Sequence, residues 1–181
     1  MPKDLRSFIE ANRDLVLRVP RTVRRADLSA LIVEAKRPML FERIDGYEGW
    51  RVADLFFRDR VAQAAVLETA PERVTEVLAE RLSRPPVPLH VVEDAPHKQT
   101  IQKQGAFDLR EIPGFRHGAQ DPAPSLIAMT VCREPDGGAV NFAFTRLSPF
   151  DAAQATMLIG SSPHQRAILE KWEARGAPMP V

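Results

Sequence analysis

Three polar residues in the segment 139–166 have side chains that could take part in chemistry: Asn141, Arg146 and His164. A guanidinium is a planar fork that suits a carboxylate or a phosphate. His164 falls in the first turn of a predicted helix, where free backbone N–H groups make a candidate anion site. The alternative interpretation is that His164 is an exposed residue at a helix start.

Strand alternation decides which of these residues can meet. In AVNFAFTRLSP, a period of two places Asn141 and Thr145 on one face of a regular strand, and Phe144 and Arg146 on the other. A β-bulge would be needed to bring Asn141 and Arg146 to one site. Periodicity alone makes Asn141 a polar residue of a hairpin and Arg146 a charge at its rim.

Several common site types are excluded. The sequence contains no GxGxxG, GxxxxGK[ST], HExxH, GxSxG or CxxC pattern. Cys132 is the only cysteine, which rules out an internal disulfide and a cysteine-built zinc site. The net charge of +1 argues against a nucleic-acid binder that works by bulk phosphate neutralisation. Arginine makes up 20 of the 25 basic residues, which indicates either a compositional bias or a set of anion-binding side chains.

The elements that must position these residues fall into two halves. The first half alternates strands with helices and is typical of an α/β unit. Its predicted elements are a helix at 4–12, a strand at 15–19, a helix at 26–35, a strand at 38–44, and helices at 58–68 and 71–83. The proline-rich stretch 84–98 cannot form a regular helix and marks a joint.

The second half is rich in strands. Two apolar runs around the turn PDGG predict a hairpin, and residues 155–160 predict a third strand. A final helix is expected over 162–176, with Ser162 as cap, Pro163 in the first turn and Gly176 at the end. The fold class is therefore α+β, with domains at 1–95 and 96–181. No apolar run reaches membrane-spanning length and the first residues are charged, so a cytoplasmic location is expected.

Three stretches of the chain resemble the UbiD family, the prenylated-FMN-dependent reversible decarboxylases. They are DLRSFIEANRDLVLRV, PMLFERIDGYEGWRVADLFF and FDLREIPGFRHGAQDPAPSLIAMTVCREPDGGAVNFAFTR. Their order and spacing follow the family from about residue 4 onward. The resemblance implies that residues 96–181 form part of a flavin-binding split β-barrel.

The resemblance also implies a site. Asn141 and Arg146 match the family motif N-x-x-x-x-R, and His164 matches a histidine in a loop-to-helix turn. Asn141 and His164 would bind a divalent metal, which hard oxygen and nitrogen ligands suit. Arg146 would hold the substrate carboxylate, and Phe144 and Pro163 would join these three residues around prenylated FMN. Manganese is the preferred metal, magnesium and iron are alternatives, and a potassium ion beside it is a further option.

The family's glutamate metal ligand and glutamate acid lie beyond the part that this chain resembles. The leading hypothesis is therefore a small subunit of a UbiD-like (de)carboxylase for an aromatic or α,β-unsaturated acid. A larger partner would supply the rest of the barrel and the glutamates. The second hypothesis is a non-catalytic flavin-binding or assembly protein. The third is a self-sufficient homo-oligomer using an acid of this chain, such as Glu111, Asp121 or Asp136.

Overall fold

The computed structural model describes residues 4–54, 56–88, 91, 93, 95, 98–103, 105–160 and 163–181. The chain divides into two compact units, Met1–Lys103 and Gln104–Val181. The α+β class expected from the sequence is confirmed, because each unit combines helices with a three-stranded sheet. Within the described ranges, no helix combines the length and the apolar character that a membrane span requires.

The first unit is built around a mixed sheet. Its elements are α1 (Leu5–Ala11), β1 (Leu17–Val23), α2 (Leu28–Ala35), β2 (Met39–Ile44), β3 (Val52–Asp54), α3 (Arg60–Leu67) and α4 (Val74–Ser83). The central strand β2 pairs in parallel with β1 and antiparallel with β3. Short 3₁₀ turns at Arg25–Asp27 and Pro71–Arg73 lead into α2 and α4, where the sequence predicts continuous helices.

Local chemistry explains where the helices of this unit begin. The Asp4 carboxylate accepts a hydrogen bond from the Ser7 backbone N–H (2.8 Å) and caps α1. The Asp59 carboxylate does the same for α3 through the Ala62 N–H (2.9 Å). The three-residue strand β3 is not predicted by the sequence, since a run this short gives no readable alternation.

The core of the first unit is apolar and centred on β2. Ile9, Val16, Leu40 and Phe56 form a buried cluster, with the Phe8 ring edge-on against Phe56 at 5.8 Å between centroids. Phe41 lies on the same central strand and is completely buried. Burial of these side chains provides the main stabilisation of the unit.

Phe41→Ala is expected to lower the free energy of unfolding by about 3–5 kcal/mol, because it removes a fully buried ring from a central strand. Urea unfolding of the full chain measures the change. Phe57→Ala is the control, since Phe57 is 68% exposed and should cost far less. Equal effects of the two substitutions would contradict this description of the core.

The second unit is a hairpin with a helix on one face. The predicted hairpin is confirmed as β4 (Leu126–Arg133) and β5 (Val140–Pro149), and β6 (Ala155–Met157) pairs with the end of β5. The β6 strand is shorter than the predicted 155–160. Helix α5 (Pro163–Ala174) follows, and Gly176 with φ +65 ends it as predicted. The predicted cap Ser162 lies outside the described residues.

Candidate active site

The β4–β5 ladder fixes which way each candidate residue points. Its pairs run without a register shift from Leu126 opposite Leu147 to Arg133 opposite Val140. No bulge therefore separates Asn141 from Arg146, and the two lie on opposite faces of the sheet. Strict alternation, the simpler of the two sequence interpretations, is what the strand adopts.

The face that carries Asn141 packs against α5 and contains a buried polar network. The Thr130 hydroxyl donates to the Ala143 carbonyl (3.1 Å) and accepts from Gln165 Nε2 (3.2 Å). Thr145 Oγ1 lies 2.9 Å from the same hydroxyl. Thr130, Thr145 and Gln165 are all buried. These bonds fix the first turn of α5 on the sheet, at the turn that contains His164.

Thr130→Val is expected to lower the free energy of unfolding by about 1–3 kcal/mol. Valine keeps the shape but leaves the buried Gln165 amide without its acceptor. Chemical denaturation measures the loss. Thr156→Val is the matched control, because Thr156 is exposed and its hydroxyl makes only a 3.4 Å bond to the Ser148 carbonyl. A Thr130→Val chain as stable as the control would contradict the network.

Asn141 is the unsatisfied residue of this face. Its Nδ2 is buried and has no hydrogen-bond partner among the residues that the structure describes. A buried amide without a partner costs about 1–3 kcal/mol, so such a group calls for an explanation, and an absent ligand is one. A polar or anionic ligand that accepts this N–H group would satisfy it.

His164 and Asn141 are brought to the same side of the sheet. Thr130, which holds Gln165, pairs with Ala143, and Asn141 lies two residues further along β5. Ala143 and Asn141 are therefore about 7 Å apart along β5. His164 directly precedes Gln165 and is exposed. Pro163 begins α5, and its side chain lies outside the described part of the chain.

Arg146 lies on the opposite face and has a carboxylate partner. Its Nη1 is 3.3 Å from Asp121 Oδ1. The Asp121 carboxylate also accepts the backbone N–H groups of His117 (2.8 Å) and Gly118 (3.1 Å). The ion pair is partly exposed to water, and such pairs are weak. An incoming substrate carboxylate can therefore compete with Asp121 for the guanidinium.

These contacts lower the pKa of Asp121. The His117 backbone bond is the largest cause, and with the Gly118 bond and the Arg146 charge it outweighs desolvation. A lowered pKa keeps the carboxylate ionised at neutral pH, so its contacts are lost only as the pH falls through the lowered value. Asp121 therefore cannot donate a proton near neutral pH, which weakens the homo-oligomer hypothesis. Asp136, a second acid in that hypothesis, instead pairs with Arg175.

One edge of β5 is open beside the candidate residues. Leu147, Ser148 and Pro149 pair with β6, but over the described residues no strand pairs with 140–146 on the side away from β4. Asn141 lies on one face of this edge, and Arg146 and the 83% exposed Phe144 lie on the other. The structure therefore does not bring Asn141 and Arg146 to one site.

The donor set for a metal is incomplete within this chain. The described residues hold no group of three histidine, cysteine, aspartate or glutamate side chains that could bind a metal ion. Asn141 and His164 are of the right chemical type for a hard divalent cation. The unpartnered Asn141 amide fits such a role, because its oxygen can face a cation while its N–H group meets an anion. These two residues would supply two ligands of such a site, and the described residues show no complete donor set.

Sequence reasoning missed two features of this region. The pairing of Arg146 with Asp121 spans 25 positions, and no local pattern signals it. Gln165 has the sequence setting of an ordinary residue in a C-terminal helix, although it is 2% exposed. Its position beside His164 is visible in the sequence, but its burial follows only from how α5 packs.

Comparison with known proteins agrees with the fold. The family described as UbiD, 3-octaprenyl-4-hydroxybenzoate carboxy-lyase Rift-related domain, matches residues 90–181. The chain belongs to the UbiD family. A comparison with curated proteins found no match.

Solved structures of UbiD-class enzymes are similar over nearly the whole chain. HmfF from Pelotomaculum thermopropionicum, in an evolved dimeric form with prFMN, has a TM-score of 0.83 at 29% identity, over 96% of this chain and 41% of its own. Vanillic acid decarboxylase of Sedimentibacter hydroxybenzoicus, ShVdcCD, in its closed form has a TM-score of 0.88 at 25% identity, over 99% and 42%. The 3,4-dihydroxybenzoic acid decarboxylase of Enterobacter cloacae, at 20% identity with a TM-score of 0.82, supports the fold alone. The chain therefore spans about two fifths of each related chain.

Proposed function

We propose that this chain is the small subunit of a cytoplasmic UbiD-like (de)carboxylase. It acts on an aromatic or α,β-unsaturated carboxylic acid with prenylated FMN, as part of a complex. A larger partner completes a split β-barrel and provides the glutamate residues that this chain lacks. The observation that carries the proposal is the buried Nδ2 of Asn141, which has no hydrogen-bond partner among the described residues and lies on the β5 face that packs against α5, beside the open edge of β5.

The chain's own residues have separate tasks in this proposal. Asn141 and His164 bind a divalent metal, with manganese preferred over magnesium or iron, and a potassium ion nearby is a further option. Phe144 and Pro163 line the flavin site. Flavin complexes of a related enzyme support the choice of a flavin as the cofactor, since HmfF structures contain prFMN or FMN. The bound flavin supplies the electron sink for loss or addition of CO2.

Arg146 binds and orients the substrate. Before binding, its guanidinium is held by Asp121 at 3.3 Å. A substrate carboxylate takes the same planar donors with two parallel hydrogen bonds, which a single exposed Asp121 contact does not match. When the carboxylate departs as CO2, Arg146 returns to Asp121. The guanidinium therefore has a carboxylate partner before the substrate binds, while it is bound and after CO2 leaves.

In this proposal, the acid that protonates the product comes from outside this chain. Asp121 stays ionised because its pKa is lowered, and Asp136 is paired with Arg175 in an exposed turn. A general acid must hold its proton near the working pH. The partner subunit supplies this group, which makes the isolated chain inactive.

The test is an activity comparison between the isolated chain and its complex. The tagged chain is purified from its own host, and CO2 release is measured on a panel of aromatic and α,β-unsaturated acids. We expect turnover by the flavin-containing complex and none by the chain stripped of its partner. A flavin-loaded complex that is inactive on every acid would favour the non-catalytic assembly protein. Turnover by the chain alone would favour the homo-oligomer.

A further inference from the structure

The face of the β4–β5 hairpin opposite α5 is apolar and exposed. Ladder pairs place Met129 opposite Phe144 and Val131 opposite Phe142. Their exposures run from 42% for Val131 to 83% for Phe144. We call this the apolar sheet face, which comprises Ile127, Met129, Val131, Val140, Phe142 and Phe144.

This face is not the core of its own unit. The core of the hairpin lies on the other side, where Ile168 of α5 is 3% exposed and Cys132 is 2% exposed. The Trp172 indole N–H donates to the Arg133 carbonyl (2.8 Å) and Lys171 pairs with Glu134 (2.7 Å), which hold α5 there. An apolar sheet face is normally buried against a neighbouring layer. A contiguous apolar patch that is exposed, as here, marks an interaction site.

Charge at the corners of the face indicates the kind of partner. Arg133 lies opposite Val140 at one end and Arg146 lies opposite Ile127 at the other. No carboxylate belongs to these ladder positions, and Arg133 forms no ion pair with any residue in the described ranges; its Nη1 makes only a 3.5 Å bond to the Gly137 carbonyl. Two copies packed through this face would bring together two Arg133 side chains that form no ion pair in the described ranges, whereas each Arg146 already has Asp121 beside it. A partner with carboxylates at the rim fits better.

The proposed function supplies the same partner. This chain spans about two fifths of each related chain, so more than half of a UbiD-class enzyme lies outside it. We propose that the apolar sheet face is where the larger subunit docks, through an apolar β-layer with a carboxylate opposite Arg133. This inference rests on the proposed function and adds the surface that the complex uses. Val131 and Phe142 lie at the Arg133 end of the face, and neither is assigned to the flavin, the metal or the substrate.

The double substitution Val131→Ser and Phe142→Ser tests the surface. Both side chains are exposed, so the fold should persist, which circular dichroism and the thermal midpoint verify. The tagged chain is purified from its host, and native mass spectrometry identifies what it retains. We expect the wild type to retain a larger UbiD-like chain. The double variant should retain at least tenfold less of that chain. Val181→Ser is the matched control, since Val181 is 66% exposed in the same unit and lies outside the hairpin.

A second variant tests the rim. Arg133→Glu should weaken retention of the larger subunit at least tenfold. This loss should be larger at low salt than at high salt, because salt screens interactions between charges. Retention by the Val131→Ser and Phe142→Ser chain at the wild-type level would overturn the surface and leave the proposed function standing. A wild type that retains no UbiD-like chain would overturn the proposed function itself. A wild-type homodimer abolished by the double variant would identify a second copy as the occupant and overturn the inference.

Discussion

Replacing His164 by alanine is expected to abolish activity of the reconstituted complex and leave the fold intact. The imidazole is exposed at the start of α5, so its removal leaves no buried cavity. His164 is one of the two metal ligands proposed from this chain, so its loss should weaken manganese binding more than about 10²-fold, beyond the effect usual for a group that only supports a ligand. Manganese electron paramagnetic resonance and turnover measure the two losses, and thermal unfolding checks the fold.

Asn141→Leu is expected to remove manganese binding without lowering stability. Leucine removes a buried amide that has no partner among the described residues, so the metal-free chain should be as stable as wild type or more stable. Manganese binding by the complex should nevertheless be lost. Gln154→Ala, an exposed change in the β5–β6 turn, serves as the neutral control for both site variants. Unchanged manganese binding in the Asn141 and His164 variants would refute the ligand assignment.

Replacing Arg146 by glutamine should lower kcat/KM by about 10²- to 10⁴-fold. The substitution removes two charge-assisted hydrogen bonds to the substrate carboxylate, and each is worth about 1.5–3 kcal/mol. Lysine at this position should restore only part of the loss, because it cannot form the bidentate fork. Steady-state kinetics of the complex measure both variants.

The control for Arg146 is another exposed arginine of the same unit. Arg166→Gln breaks a surface pair with Glu170 on α5 and should leave kcat/KM within a few fold of wild type. Flavin content is measured in parallel, so that loss of the flavin is not mistaken for loss of substrate binding. An Arg146→Gln complex with normal kcat/KM and full flavin content would exclude the guanidinium from substrate binding.

The elements of the fold are largely predictable, because periodicity and capping act over short distances. The turn PDGG between two alternating apolar runs is enough to place β4 and β5, and Asp4 marks the start of α1. The strand β3 is too short to show a pattern. The 3₁₀ entries into α2 and α4 are hidden because both helix types share the same apolar spacing.

The candidate site is predictable only in part. Alternation correctly places Asn141 and Arg146 on opposite faces of β5, but it suggests that a bulge is needed to unite them. The unpaired edge of β5 depends on where the pairing with β6 stops. The sequence of β5 does not reveal that point. The Asp121 contact and the burial of Gln165 likewise depend on tertiary packing across 25 and 35 positions.

Native mass spectrometry of the tagged chain, purified from its own host, tests the central claim most directly. The claim predicts a stable complex with a larger UbiD-like chain and an additional mass equal to a prenylated flavin. A chain that appears alone or only as a homo-oligomer, with no flavin mass, would contradict it and remove the catalytic role proposed for Arg146.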